Sequence, residues 1–190
     1  MRIIAGEYRG RVLKTTSAPG YRPATSKVRQ AVFSMLESRG VYWPESRILD
    51  LFAGSGSLAF EALSRGAEQT WFVEMNKTAA KLITENAEKI GIPPHRYRVI
   101  ADDMFKVISR RAVEPFDVIF IDPPYGKNFL TPALKAVLKN GWLAEGGILC
   151  AEVEAKLPLP PEADHSDLEL IANKAYGQTR ILLWTTGESE

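Results

Sequence analysis

Cysteine is nearly missing from this chain: Cys150 is the single one among 190 residues. An intrachain disulfide is excluded, and a reducing cytoplasm is the natural setting. Cys150 stands among Ile148, Leu149 and Ala151, where it reads as a small buried hydrophobe. Histidine is scarce too. His95 and His165 lie in Pro-rich or acidic loop-like stretches without ligand-spaced partners, so both are expected in solvent and no metal site is expected. A Ser/His/Asp nucleophile set is also lacking. No apolar run approaches the ~20 residues of a membrane span. The opening Met1-Arg2-Ile3-Ile4 leads into Gly6-Glu7-Tyr8-Arg9, not into a signal-peptide core.

Net charge is nearly absent as well, at +1, but its distribution is uneven. Residues 1–39 carry eight Lys/Arg against two acids, a net of +6, which leaves −5 for the other 151 residues. A basic arm on a near-neutral body suits a polyanionic partner. We therefore expect two units: residues 1–39 as a basic extension facing a polyanion and residues 40–190 as an enzyme-like body. The arm reads as two short strands, Arg2 to Ala5 and Arg11 to Thr15, hence a hairpin. The loop Ala18-Pro19-Gly20-Tyr21-Arg22-Pro23 follows. Then Val28, Ala31, Val32, Met35 and Leu36 recur at helical spacing, with Thr25 or Ser26 as N-cap and Arg29 and Lys27 off the apolar face.

From residue 47 the pattern is strand, turn, helix, repeated. Strands are expected at Ile48 to Phe52, Thr70 to Val73, Arg96 to Ile100, Asp117 to Ile121 and Ile148 to Val153. Helices are expected at Leu58 to Leu63, Asn76 to Ile90, 104–112 and Leu130 to Asn140. This alternation predicts an α/β fold with a mostly parallel sheet covered on both faces. A terminal hairpin, Leu168 to Ala175 and Arg180 to Thr185, turns through Tyr176-Gly177-Gln178.

Ligands of open α/β sheets bind at the carboxyl ends of the strands. Three polar signals fall there. Asp50-Leu51-Phe52-Ala53-Gly54-Ser55-Gly56 is a glycine turn whose Gly54 and Gly56 admit a ligand close to the backbone. Glu74, 20 residues past Gly54, is placed for the two hydroxyls of a ribose. Asp102 is placed to accept from an adenine amine, with Asp103 as its rival. These alone fit a nicotinamide dinucleotide or S-adenosylmethionine. Asp122-Pro123-Pro124-Tyr125, directly after Val118-Ile119-Phe120-Ile121, favours the latter, because a carboxylate, prolines and an aromatic ring suit a clamp for a flat, amine-bearing ring.

The tetrapeptide and the Asp50 to Gly56 turn resemble amino-directed, S-adenosylmethionine-dependent methyltransferases of the Asp/Asn-Pro-Pro-Tyr type. More narrowly, Arg2-Ile3-Ile4-Ala5-Gly6, Tyr8-Arg9-Gly10, Arg22-Pro23-x-Thr25, Lys27-Val28-Arg29, Glu61 to Ala67 and Tyr176-Gly177-Gln178-Thr179 resemble bacterial 16S ribosomal RNA guanine-N2 methyltransferases acting on guanine 966. Ala24, Ser26 and Gln30 depart from that family's usual residues. The resemblance implies a Rossmann-like class I fold with a seven-stranded sheet and a small N-terminal hairpin and helix. It implies that Asp50, Gly54, Ser55 and Gly56 line the cofactor, Glu74 takes its ribose and Asp102 its adenine. Asp122, the Pro123 carbonyl and Tyr125 would face the target amine and base, with Phe129 helping to stack. Arg9, Arg11, Arg22 and Arg29 are the candidate contacts to 16S RNA, within a small-subunit assembly particle, by a cytoplasmic monomer. Adenine-N6 DNA methyltransferases share the tetrapeptide but usually carry a target-recognition domain. Asn usually opens the tetrapeptide of glutamine-N5 protein methyltransferases. A non-catalytic RNA-binding assembly factor would not need acids at all three cofactor positions.

Overall fold

Four central strands are apolar through most of their length because both sheet faces are covered. The computed structural model describes residues 1–15, 25–160 and 167–187. The elements run α1 (Ser26–Glu37), β1 (Arg47–Asp50), α2 (Ser57–Ser64), β2 (Gln69–Val73), α3 (Lys77–Ile90) and β3 (Tyr97–Ile100). They continue with α4 (Met104–Ile108), β4 (Phe116–Ile121), α5 (Leu130–Lys139), β5 (Leu143–Glu154), β6 (Leu168–Tyr176) and β7 (Thr179–Thr186). The seven strands are ordered β3-β2-β1-β4-β5-β7-β6, with β7 antiparallel to both neighbours and the remaining pairs parallel. The strand order reverses between β1 and β4, which places the crevice of an open sheet there.

Side chains alternate along each strand, so register decides which helix layer each residue meets. Leu49, Ile119, Ile121 and Leu149 face α4 and α5 through Met104, Ile108, Leu130 and Leu134. Ile48, Val118, Phe120 and Ile148 face the other way, against Val32, Phe33 and Leu36 of α1 and Leu58 and Ala62 of α2. Ile83, Ala87 and Ile90 of α3 complete that layer around Phe60 and Phe72. No helix of the described residues is long and apolar enough to cross a membrane.

Several expectations need correction. The N-terminal hairpin has no strands beyond a single bridge, Arg2 to Val12. Its backbone is held by Ile3 N–H to Arg11 O at 3.1 Å and Leu13 N–H to Met1 O at 2.8 Å, while Ile3, Tyr8 and Leu13 are buried against α2 and α3. The segment is shaped by docking, not by strand pairing. At Gly6 (φ +81°) an added Cβ would lie 1.7 Å from Ser64 O, so only glycine lets the turn sit on the end of α2. The helix expected over 104–112 stops at Ile108. Asn140 Nδ2 and Trp142 Nε1 draw off the Ile108 and Arg110 carbonyls, each at 2.8 Å. β5 begins earlier than expected, since Gly146 (φ +66°) forms a bulge between the Phe116–Leu143 and Val118–Ile148 pairs.

Arg29 is the sharpest correction. It was expected off the apolar face of α1, but it is 1% exposed. Phe33 belongs to the buried stripe, which moves the face round to include Arg29. Its Nη2 donates to Arg2 O at 2.7 Å and its Nε lies 4.0 Å from Glu61 Oε2, so it braces the arm and is withdrawn as a substrate contact. Arg22, the Ala18 to Pro23 loop and His165 lie outside the described residues; His95 is exposed.

Candidate active site

Parallel register puts a row of acids along one rim of the sheet. Asp50 pairs with Phe72 on β2 and with Phe120 on β4, and Phe120 pairs with Cys150 on β5. Two residues further on, on the same face, come Glu74 after β2, Asp122 after β4 and Glu152 within β5. These positions are the carboxyl ends of strands beside the crevice between β1 and β4.

Glu74 ties the glycine turn to the next loop. Its Oε2 accepts from Gly54 N–H at 2.8 Å and its Oε1 from Asn76 N–H at 2.7 Å, and the residue is buried. Two backbone N–H donors thus fix the Glu74 carboxylate at the end of β2, beside the glycine turn. The two glycines differ in purpose. Gly54 (φ +54°) presents its N–H to Glu74. Gly56 (φ +76°) makes room for the core, since a Cβ there would meet the Phe60 ring at 2.8 Å and Phe72 at 3.0 Å. Ser55 turns its hydroxyl toward Met1 Sδ, 4.0 Å away.

Of the three remaining acids of the rim, Asp50 and Glu152 each leave a buried oxygen without a partner. Asp50 is 2% exposed and its Oδ1 has no hydrogen-bond partner. Burial pushes its carboxyl up to about 7, against the Phe52 N–H bond that favours ionisation, and the Glu74 charge adds to the rise. Asp122 keeps some exposed area, yet burial of its carboxyl, then Glu152, then Asp50 hold it well above the usual carboxylate range. Glu152 is 7% exposed, its Oε2 lacks a partner, and burial lifts its carboxyl to about 7. Cys150 is buried as expected, and the same burial and acids push its thiol well up, so it stays neutral. Glu152 was absent from the expected site. Its signal was present, as a lone carboxylate inside Ile148-Leu149-Cys150-Ala151-Glu152-Val153.

Asp103 caps α4, accepting from Phe105 N–H at 2.7 Å and Lys106 N–H at 3.3 Å, so its carboxylate is occupied. Asp102 is half-exposed, and its Oδ1 takes both the Asp103 N–H and the Lys106 ammonium. Those contacts, the Asp103 bond foremost, hold its carboxyl below the usual range. The Asp122 to Tyr125 loop is latched on its far side. Tyr125 is 41% exposed, and its hydroxyl lies 3.0 Å from Thr179 Oγ1. Gly126 N–H donates to Glu154 Oε1 at 2.9 Å. A shallow hollow beneath is lined by Pro123, Tyr125, Phe129, Val153 and Leu157. Phe129 stacks on Phe52 (6.1 Å, 11°) and meets Phe105 edge-on at 5.4 Å, so it joins the tetrapeptide loop to the glycine turn and to α4. Arg9 and Arg11 are exposed on the arm.

The sheet order, the glycine turn after β1 and the acid after β2 define a class I methyltransferase fold. The solved structure of yhhF from Escherichia coli superposes with a TM-score of 0.85 at 29% identity, covering 100% of this chain and 99% of that one. A solved Haemophilus influenzae methylase superposes at 0.82 with 32% identity and 98% coverage of both chains. The family described as "Conserved hypothetical protein 95" matches residues 1–185, and this chain belongs to it. Among curated relatives, ribosomal RNA small subunit methyltransferase D of Haemophilus influenzae is 36% identical over 84% of this chain and 81% of its own length. Its Escherichia coli counterpart is 31% identical over 100% and 93%.

Proposed function

We propose that the chain is an S-adenosylmethionine-dependent methyltransferase acting on the exocyclic N2 of a guanine in 16S ribosomal RNA. The observation that carries this reading is the juxtaposition of Asp122-Pro123-Pro124-Tyr125 with the Glu74-braced glycine turn across the β1–β4 crevice. The rim residues fit the cofactor. Glu74 suits a ribose diol, Asp102 an adenine amine, and the unpartnered Oδ1 of Asp50 a cationic group. The named activity of the curated relatives supports ribosomal RNA as substrate. Guanine 966 follows the family resemblance of the tetrapeptide and arm.

A guanine amine is a poor nucleophile because its lone pair is delocalised into the ring. The bound cofactor supplies an electrophilic sulfonium methyl. The Asp122 carboxylate and the Pro123 carbonyl each accept one N–H of the amine, which turns the nitrogen lone pair out of the ring plane. The fixed φ of Pro123 and Pro124 limits loop freedom, and the Tyr125 and Gly126 contacts anchor it further. Tyr125 stacks on the base, worth ~1–3 kcal/mol. Placement of two bound reactants is worth more, ~7–11 kcal/mol, so orientation is the main catalytic term. We place the reaction on a small-subunit assembly particle, performed by a monomer in the cytoplasm, with Arg9 and Arg11 on RNA phosphates.

The test uses labelled cofactor with small-subunit RNA or particles, followed by mapping of the methylated nucleotide. Asp122→Ala should reduce transfer at least 1000-fold, on the order of 4 kcal/mol, while cofactor binding by calorimetry survives. Full activity in that variant would sink the reading.

A further inference from the structure

The proton released by the methylated amine needs a destination, and one buried carboxylate beside Asp122 has no part in the scheme above. Glu152 is 7% exposed with Oε2 unpartnered. Ile121 pairs with Ala151 in parallel register, so Asp122 and Glu152 are the next residues across neighbouring strands, about 4.8 Å apart in backbone. By alternation their side chains leave the same face, toward α1.

We propose that Glu152 is the proton partner of Asp122: protonated, it donates its O–H to the Asp122 carboxylate, so that the pair's single negative charge faces the target amine. This rests on the guanine-amine reading, since it assigns a duty within that site. Glu152 acts through Asp122 and is a positioning residue. An O–H on Glu152 also gives its orphaned oxygen a partner. Two carboxylates in one water-poor site cannot both ionise readily, so a shared proton is their resting state.

The step balances. The N2 lone pair forms the N–C bond, and the C–S bond breaks with its electron pair left on a neutral sulfur. The N–H proton moves to Asp122, making the pair briefly neutral. One proton returns to water as product leaves, restoring the single charge.

The other groups facing Glu152 do not replace this partner. Asp50 on β1 and Cys150 on the same strand add no positive charge, and Ile181 lies opposite on β7. On α1, Lys27 is exposed, and Arg29 is engaged by Arg2 O and Glu61. The raised carboxyls of Asp122 and Glu152 agree with a shared proton.

The experiment compares wild type with Glu152→Gln, whose amide still donates to Asp122 but cannot ionise. Side-chain carboxyl ¹³C NMR on the cofactor-free protein should show Asp122 sensing one titration fewer in Glu152→Gln than in wild type. The rate–pH profile with RNA should be a bell in wild type. In Glu152→Gln the alkaline limb disappears while the acid limb stays, and Glu152→Ala falls at least 10-fold at every pH. Asp50 is present in all three proteins and cannot produce the difference. An identical Asp122 titration curve in both proteins, or an unchanged alkaline limb in Glu152→Gln, overturns the proposal. If wild type fails to methylate RNA guanine, the function reading fails, and the NMR titration still decides the pair.

Discussion

Two buried acid sites lie on the same side of the sheet and are treated in opposite ways. Glu61, at the junction of α2 with the arm, is 0% exposed and fully engaged. It accepts from Ile4 N–H at 2.8 Å and Ala5 N–H at 3.0 Å, and it pairs with Arg65 at 3.1 Å. Asp50 and Glu152, at the rim, are as deeply placed yet each leaves an oxygen without a partner. Partnered burial fixes the arm in place; partner-poor burial stores a capacity to bind cations and share protons. A fold that can satisfy one buried carboxylate so completely has no general shortage of donors, so their scarcity at the rim marks the site that chemistry occupies.

The largest effect should come from breaking the satisfied site. Glu61→Ala leaves the Ile4 and Ala5 amides short of acceptors and the buried Arg29 without its counter-charge, while Arg65 keeps Glu37. Breaking a buried pair in this way costs about 3–5 kcal/mol. Urea denaturation reads the loss, and amide exchange at Ile4 and Ala5 reads release of the arm. A loss under ~1 kcal/mol would show that docking rests on the apolar contacts of Ile3, Tyr8 and Leu13 instead.

The partner-poor site should give a smaller effect with a distinctive pH dependence. The carboxyls of Asp50 and Glu152 rise from 3.8 and 4.5 to about 7 on folding. The folded state therefore binds protons more tightly, so this contribution is fully present below about pH 4 and is lost as pH rises through about 7. At 1.36 kcal/mol per unit the rise accounts for up to roughly 4 kcal/mol at Asp50 and roughly 3 kcal/mol at Glu152. Glu152→Gln should flatten the decline and gain stability above pH 7, read from urea midpoints between pH 4 and 9. A stability that climbs with pH over that window in wild type would contradict the desolvated rim.

The same contrast explains what was legible in the chain. Strands and helices of the body stood out because each apolar run ends at Gly, Pro or an acid, and their boundaries moved by only a few residues. The arm was misread where tertiary contact replaces local preference. Its strands dissolve into a docked turn, and Arg29 needed Phe33 counted in the stripe of α1 before its burial was visible. Glu74 and Asp122 were legible because strand ends are where ligands bind. Glu152 sits inside a strand, where an acid is ordinarily excluded, and only register reveals that Asp122 is its neighbour. Gly56 was legible as a turn but not as space for Phe60 and Phe72, a requirement set by packing.

The arm contains the contrast in miniature, and the smallest stability effect should come from testing it. Arg29 is bound to Glu61, whereas Arg9 and Arg11 stand in solvent with no side-chain hydrogen bond among the described residues. Replacing both exposed arginines by alanine should change stability by less than about 0.5 kcal/mol. RNA binding should respond instead. If each contacts one phosphate of a single strand, the slope of log K against log salt should become shallower by about 1.4, at ~0.7 per contact. Binding isotherms across a salt series measure that slope. An unchanged slope with unchanged stability would make the exposed arginines bystanders and leave the arm a structural brace, joined to the body in its charges by the buried Glu61 and by the surface pairs Lys14–Glu85 and Glu7–Arg96.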